Sequence, residues 1–153
     1  MPYCPSIKTL FATLLMSEPL FFHGALNIST AVAAEPELKV VQLLKTTHSW
    51  DGTPYKSYPD AQPEISVLYY KIPPHSTLPW HSHPVINAGY VLSGHLKVIR
   101  KHDGKSMMIG PGDVLPEMVE APHCGESGDE PVELIVFYAG TPGVPLVVRS
   151  DHE

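Results

Sequence analysis

LPWHSHPVINAGYVLSG, residues 78–94, carries two histidines one residue apart, His81 and His83. Successive side chains on a strand alternate faces, so residues i and i+2 point the same way. Two imidazoles then project side by side into one space. Neutral imidazole is the commonest metal ligand among side chains, and such a pair supplies two neighbouring corners of a coordination sphere. A further histidine, His123, stands far downstream in EAPHCG, between predicted strands. Histidines on separate strands of one barrel close a face around an ion. His81, His83 and His123 are therefore the candidate ligands.

The spacing also resembles a family. His81-x-His83, three residues, Asn87, six residues and Gly94 resemble the first cupin motif, which reads H-x-H, a short gap, E, a second gap and G. Gly110-Pro111-Gly112-Asp113, with His123 ten residues beyond Asp113, resembles the second motif, with its P-x-G-D turn and its H-x-x-x-N ending. The resemblance covers roughly Glu64 to Tyr138. Two positions depart from it: Asn87 stands where the family usually places a Glu ligand, and Ser127 where it often closes with Asn. The resemblance implies an all-β, double-sheet jelly-roll barrel. It also implies a divalent ion inside the barrel on His81, His83 and His123, with Asn87 as a weak fourth candidate.

Composition agrees with an all-β chain. The 153 residues fit one domain, and 43% of them are hydrophobic, enough for a core. Seventeen prolines and eleven glycines suit many turns and disfavour a helical bundle. The net charge is −6 and no basic cluster occurs. Nucleic-acid binding needs a cationic footprint, so it is not expected.

The first 34 residues differ from the rest: they hold one Lys, one Glu and apolar runs at Leu10–Met16 and Leu20–Leu26. Small residues follow at Ala31-Val32-Ala33-Ala34. This order reads as a secretory signal peptide, although Glu18, Pro19 and His23 interrupt it. No run reaches the roughly 18–20 apolar residues of a spanning helix. The expectation is an exported, periplasmic or secreted protein. Cys124 is the lone cysteine once that segment is removed, so no internal disulfide is available.

The remaining chain divides into an N-terminal strand and loop over 35–63, the barrel over 64–149 and a tail over 150–153. Leu38–Thr47 reads as a first strand, with a short helix as the alternative. Ser49 to Pro54 has turn chemistry. Trp50, Tyr55 and Tyr58 belong to an ordered loop that covers a sheet edge or lines an opening. Ile65–Ile72 is a strand. His81-x-His83 is a short one, bounded by Pro79 and Pro84, which lack an N–H. Ala88–Leu92 resumes it, Ser93-Gly94 turns it, and His95–Lys101 runs back. Asp103-Gly104 marks a tight hairpin. Val114–Glu120 reads as a strand pair broken at Pro116, and Gly125–Pro131 as a polar loop. Val132–Ala139 is apolar enough for burial on both faces, and Gly143–Arg149 reads as a final edge strand. Turns about every 8–12 residues fit a sandwich or barrel.

Imidazole donors suit a borderline ion: Fe, Mn, Ni, Cu or Zn. Calcium and magnesium prefer oxygen. A neutral three-His face keeps the full ionic charge, which favours a bidentate organic anion by Coulomb attraction at low dielectric. Asn87 otherwise orients His83 or pairs with backbone. Glu117 and Glu120 precede His123; both read first as solvated, with acid–base work as the sharper alternative. Cys124 faces away from His123 on a strand and reads as packed. Tyr90, Met107, Met108 and Phe137 read as core with pocket walls as the alternative. His75, His95 and His102 read as exposed, and Asp113 as a turn residue.

No general base stands out beside the ligands, which favours binding or oxygen chemistry. The sequence supports a dioxygenase-like oxidoreductase acting on a small metal-chelating organic anion. The alternatives are a non-catalytic exported metal- or ligand-binding protein and a metal-dependent isomerase or lyase. The expected partner is a small molecule. Edge strands and the resemblance add a homodimer.

Overall fold

The structure is a computed structural model that describes residues 37–150. The signal peptide expected over 1–34 and residues 151–153 of the expected tail lie outside those residues. The described chain from Lys39 onward forms one compact unit. Its strands are β1 (Glu64–Ile72), β2 (His81–Ser82), β3 (Ile86–Ser93), β4 (Leu96–Arg100), β5 (Ser106–Ile109), β6 (Val114–Pro116), β7 (His123–Ser127), β8 (Val132–Gly140) and β9 (Val148–Arg149). No helix occurs among the described residues. They form a four-stranded sheet ordered β1-β8-β3-β6 and a five-stranded sheet ordered β5-β4-β7-β2-β9. The pairings within both sheets are antiparallel.

The core lies between the sheets. Period-two alternation aims Val91 of β3, Leu96 and Val98 of β4, and Val132, Leu134 and Val136 of β8 inward, where all are buried. Each such side chain contributes about 1.5–3 kcal/mol on burial. The alternation in β8 corrects the expectation of a strand buried on both faces. Ile135 and Phe137 point outward and remain 37% and 43% exposed. A uniformly apolar run hides which side chains alternate outward until its partner strands are known.

The Ser93-Gly94 turn forms as read. Gly94 has φ +74°, and a Cβ there would sit 2.2 Å from the carbonyl oxygen of Pro131. That position excludes any other residue by both backbone conformation and space. The Asp103-Gly104 hairpin joins β4 to β5, with Gly104 at φ +71°.

Four expectations are corrected. Residues 37–46 form no strand and are exposed, because apolar β-branched composition makes a strand only where a partner pairs with it. The expected polar loop at Gly125–Pro131 begins as strand: β7 runs through Ser127. Its small residues serve close approach, since a Cβ at Gly125 would lie 3.2 Å from the side chains of Leu78 and Leu96. Ser127 Oγ donates to the Pro73 carbonyl at 2.6 Å. The pair expected over Val114–Glu120 ends at Pro116. The last strand shrinks to Val148–Arg149.

The loop after residue 46 packs across β6. Trp50 donates its backbone N–H to Pro116 O at 2.9 Å, and Tyr55 donates its hydroxyl to Glu117 O at 2.8 Å. Arg100 holds both Asp51 and Asp103, which ties this loop to the β4–β5 hairpin. Trp50 and Tyr55 therefore cover an edge, and Tyr58 is exposed.

Candidate metal centre

His81 and His83 lie side by side as their spacing requires, with ring centroids 5.0 Å apart. β2 pairs His81 with His123 of β7 across the sheet. The centroid of His123 is 4.5 Å from that of His81 and 5.1 Å from that of His83. One nitrogen from each ring falls within 4.8 Å of the other two. Donors bound about 2.0–2.1 Å from a shared ion stand about 3–4 Å apart, so the three rings are placed to hold one.

The tautomers are set by the chain. Nδ1 of His81 lies 2.8 Å from Pro79 O, Nδ1 of His83 lies 2.8 Å from Leu146 O, and Nδ1 of His123 lies 2.9 Å from Ala121 O. A carbonyl only accepts, so each Nδ1 carries a proton and donates it. Each Nε2 then presents a lone pair. A backbone partner on the far nitrogen is the usual way a protein orients a metal-binding imidazole. Burial pushes both His83 and His123 down to about 4, so both rings are neutral at neutral pH. Neutral imidazole is the form that binds metal.

The histidines open on a cavity of about 200 Å³ whose walls include Ile72, Leu78, Leu96, Val98, Leu134 and Val136. Tyr138 stands beside His83, with centroids 5.7 Å apart. Its hydroxyl lies 3.0 Å from that of Tyr70, and burial raises it well above the ordinary tyrosine range. Arg149, paired in register with His81, adds a cation to the lining. The sequence reading missed these three residues. Alternation along β8 carried the signal for Tyr138. Arg149 ends the edge strand read over Gly143–Arg149, but nothing in that run placed it beside His81.

Glu117 is the second gain over the sequence. It is 8% exposed and lines the cavity. Its Oε2 lies 3.3 Å from His123 Nε2, and neither atom has a hydrogen-bond partner among the described residues. Burial pushes Glu117 up to about 8. With His123 held neutral, the two do not form an ion pair at neutral pH. The separation also exceeds the usual hydrogen-bond range for a hydroxyl donor. Glu120, its companion in the sequence reading, turns away at φ +62° and pairs with Lys56 at 2.9 Å on the surface.

Asn87 is 2% exposed but is not part of the cavity lining. Its Nδ2 donates to Val85 O at 3.2 Å, and its Oδ1 has no partner among the described residues. Cys124 is buried, and burial raises its thiol, which opposes reactivity. Tyr90, Met107, Met108 and Phe137 do not line the cavity. His75, His95 and His102 are exposed as read. Asp113 closes its turn by accepting from Gly110 N–H at 2.8 Å.

Comparison with known proteins fits this architecture. Residues 68–138 match the family profile Cupin_2, the cupin domain. That match is a likeness to the cupin domain over somewhat less than half of the chain, the part from β1 to β8. Among solved structures, it is similar to the DMSP lyase DddQ from Ruegeria pomeroyi DSS-3, with 21% identity, a TM-score of 0.51, and 65% of this chain and 47% of the lyase covered. The polyketide cyclase RemF from Streptomyces resistomycificus is similar at 21% identity and TM-score 0.49, covering 56% and 60% of the two chains. Oxalate decarboxylase from Lactobacillus farciminis is similar at 24% identity and TM-score 0.48, covering 56% of this chain and 26% of the enzyme. The chain thus spans about half of the lyase and a quarter of the decarboxylase. No curated protein matches the sequence. These likenesses concern the fold. No helix among the described residues is long and apolar enough to cross a membrane.

Proposed function

We propose that this protein is a metal-dependent enzyme acting on a small metal-chelating organic anion, with dioxygenase-like oxidoreductase chemistry. The observation that carries the reading is the convergence of three imidazoles, with one nitrogen of each within 4.8 Å of the others, on the wall of a largely apolar cavity. His81, His83 and His123 would hold the ion, which would be Fe, Mn, Ni, Cu or Zn. When bound, such an ion polarises a chelated substrate and activates dioxygen or water.

The chain's own residues do the rest. Apolar walls exclude water and strengthen each charge interaction inside. The Arg149 cation at the lining attracts an anionic substrate. The Tyr70–Tyr138 hydroxyl pair offers hydrogen bonds to a polar substituent. The cavity lies below the roughly 300–1,000 Å³ of sites for drug-sized ligands, which fits a small substrate. A metal-dependent lyase or isomerase is the second reading, favoured by a buried carboxylate, Glu117, near enough to carry a proton. A binding protein without catalysis is the third outcome of the test.

The test is dioxygen uptake and product analysis with the metal-loaded full chain and a panel of 2-hydroxy acids, 1,3-dicarbonyls and catechols. Uptake coupled to loss of the anion supports the oxygenase reading. Product formed without uptake transfers the protein to the lyase or isomerase reading. Binding with no turnover overturns enzymatic function for that panel. The reading extends to an exported homodimer. The N-terminal apolar pattern supports export. The outward side chains Ile65, Val67, Tyr69 and Phe137, all exposed, support a self-association face. Sedimentation as a monomer at micromolar concentration, or retention in the cytoplasm of a producing cell, would count against these extensions.

A further inference from the structure

We propose that Glu117 is the fourth protein ligand of this metal centre, a carboxylate delivered from the end of β6 in place of one on β3. The inference rests on the metal-centre reading above. The family pattern places a carboxylate at the position of Asn87, where this chain has a neutral amide that does not line the cavity. Glu117 donates its backbone N–H to Asn87 O at 3.1 Å. The two residues are thus neighbours on adjacent chains at one level of the barrel, and the carboxylate has moved across one strand spacing.

The contact with His123 carries the argument. His123 Nδ1 donates to Ala121 O, so Nε2 offers only a lone pair. Glu117 Oε2 faces that lone pair, and neither buried atom has a hydrogen-bond partner among the described residues. Unsatisfied buried polar atoms are costly. A cation within reach of both, taking the place of the carboxyl proton, satisfies the two together. Their 3.3 Å separation is that of adjacent donors around one ion, about 3.0–3.4 Å for bonds near 2.1 Å.

The backbone around Glu117 is held from two sides, by Asn87 O at its N–H and by the Tyr55 hydroxyl at its carbonyl. Glu117 meets the histidine group through His123 alone, since the donor atoms that lie within 4.8 Å of one another are those of the three histidines, so its carboxylate must turn inward from the cavity wall to complete the set. Ligation lowers the charge of the centre by one, which shifts preference toward a monoanionic substrate. It also occupies the carboxylate, which removes Glu117 as a proton carrier and with it the ground for the lyase or isomerase reading.

The experiment uses cobalt(II) as the probe on the full chain, with affinity read by competition against a chromogenic chelator and coordination by visible absorption. The variants are Glu117→Gln, His81→Ala and the double variant Asn87→Glu with Glu117→Gln. The expected result is binding near one equivalent in wild type and binding about tenfold or more weaker in Glu117→Gln, with a changed visible spectrum. Affinity should recover in the double variant. Melting of the apo proteins establishes that each variant folds. Wild-type affinity and spectrum in Glu117→Gln would overturn the inference while leaving the three-His centre standing. Failure of wild type to bind cobalt at all, with His81→Ala no different, would overturn both.

Discussion

The two sheets divide the labour of this barrel. The four-stranded sheet has long strands: β1 and β8 pair without interruption from Glu64↔Gly140 to Ile72↔Val132. The five-stranded sheet includes two strands of two residues, β2 and β9. His81 and His123 sit on the irregular sheet, and His83 follows β2 in an isolated bridge to Val119. Carbonyls at Pro79, Ala121 and Leu146 lie outside its strands and accept from the three imidazoles. In a continuous ladder those oxygens would be spent on neighbouring strands. Regular pairing makes the frame, and its interruption beside prolines frees the backbone groups that aim the rings.

This contrast is open to attack by mutation. His81→Ala or His123→Ala should abolish metal loading as read by elemental analysis. Leu134→Ala, in the regular sheet, removes a core side chain that also reaches the cavity wall. It should destabilise the protein by about 2–5 kcal/mol in chemical denaturation while metal loading stays at the wild-type level. Loss of metal in a folded Leu134→Ala protein would show that frame and site are not separable.

A subtler difference concerns pH in the metal-free protein. His83 and His123 stay neutral in the fold down to about 4, against 6.5 ordinarily. The unfolded chain binds more protons in that window, so stability falls as pH drops through it. Glu117 behaves oppositely. It keeps its proton in the fold up to about 8, against 4.5 ordinarily. There the folded chain binds more protons, and stability falls as pH rises toward 8. The two trends place an optimum near 6.5. The alkaline loss amounts to about 1–2 kcal/mol, at about 1.4 kcal/mol per pH unit. Melting of the metal-free protein across this range should show it, and Glu117→Gln should flatten the alkaline limb. An unchanged limb in that variant would assign the loss elsewhere.

The smallest effect is expected on the surface. The Lys56–Glu120 pair, with side chains 83% and 65% exposed, is screened by solvent. Glu120→Gln should leave metal loading and melting temperature essentially unchanged. A marked loss would mean that Glu120, and not its neighbour at 117, serves the site.

Much of this barrel was legible in the chain. The turns at Gly94 and Gly104 followed from local chemistry, because each position needs a backbone that other residues resist. The grouping of His81 with His83 followed from strand alternation, and that of His123 from the family pattern. What could not be read depends on pairing partners. Residues 37–46 carry strand composition without a strand to pair with. Gly125 and Ser127 carry loop composition but serve close packing inside β7. Arg149 reaches the cavity because β9 happens to pair beside His81. Glu117 was visible only as one of two acidic residues in a turn-like stretch. Burial on one side and a φ of +62° at Glu120 separated them.

The most direct measurement is the metal content of the purified protein beside that of His81→Ala and His123→Ala. We predict close to one equivalent of a transition ion in wild type and none in either variant, with all three proteins folded. A wild-type protein that stays empty after reconstitution with each of iron, manganese, nickel, copper and zinc would contradict the account. The barrel would then hold an organic ligand directly on its histidines.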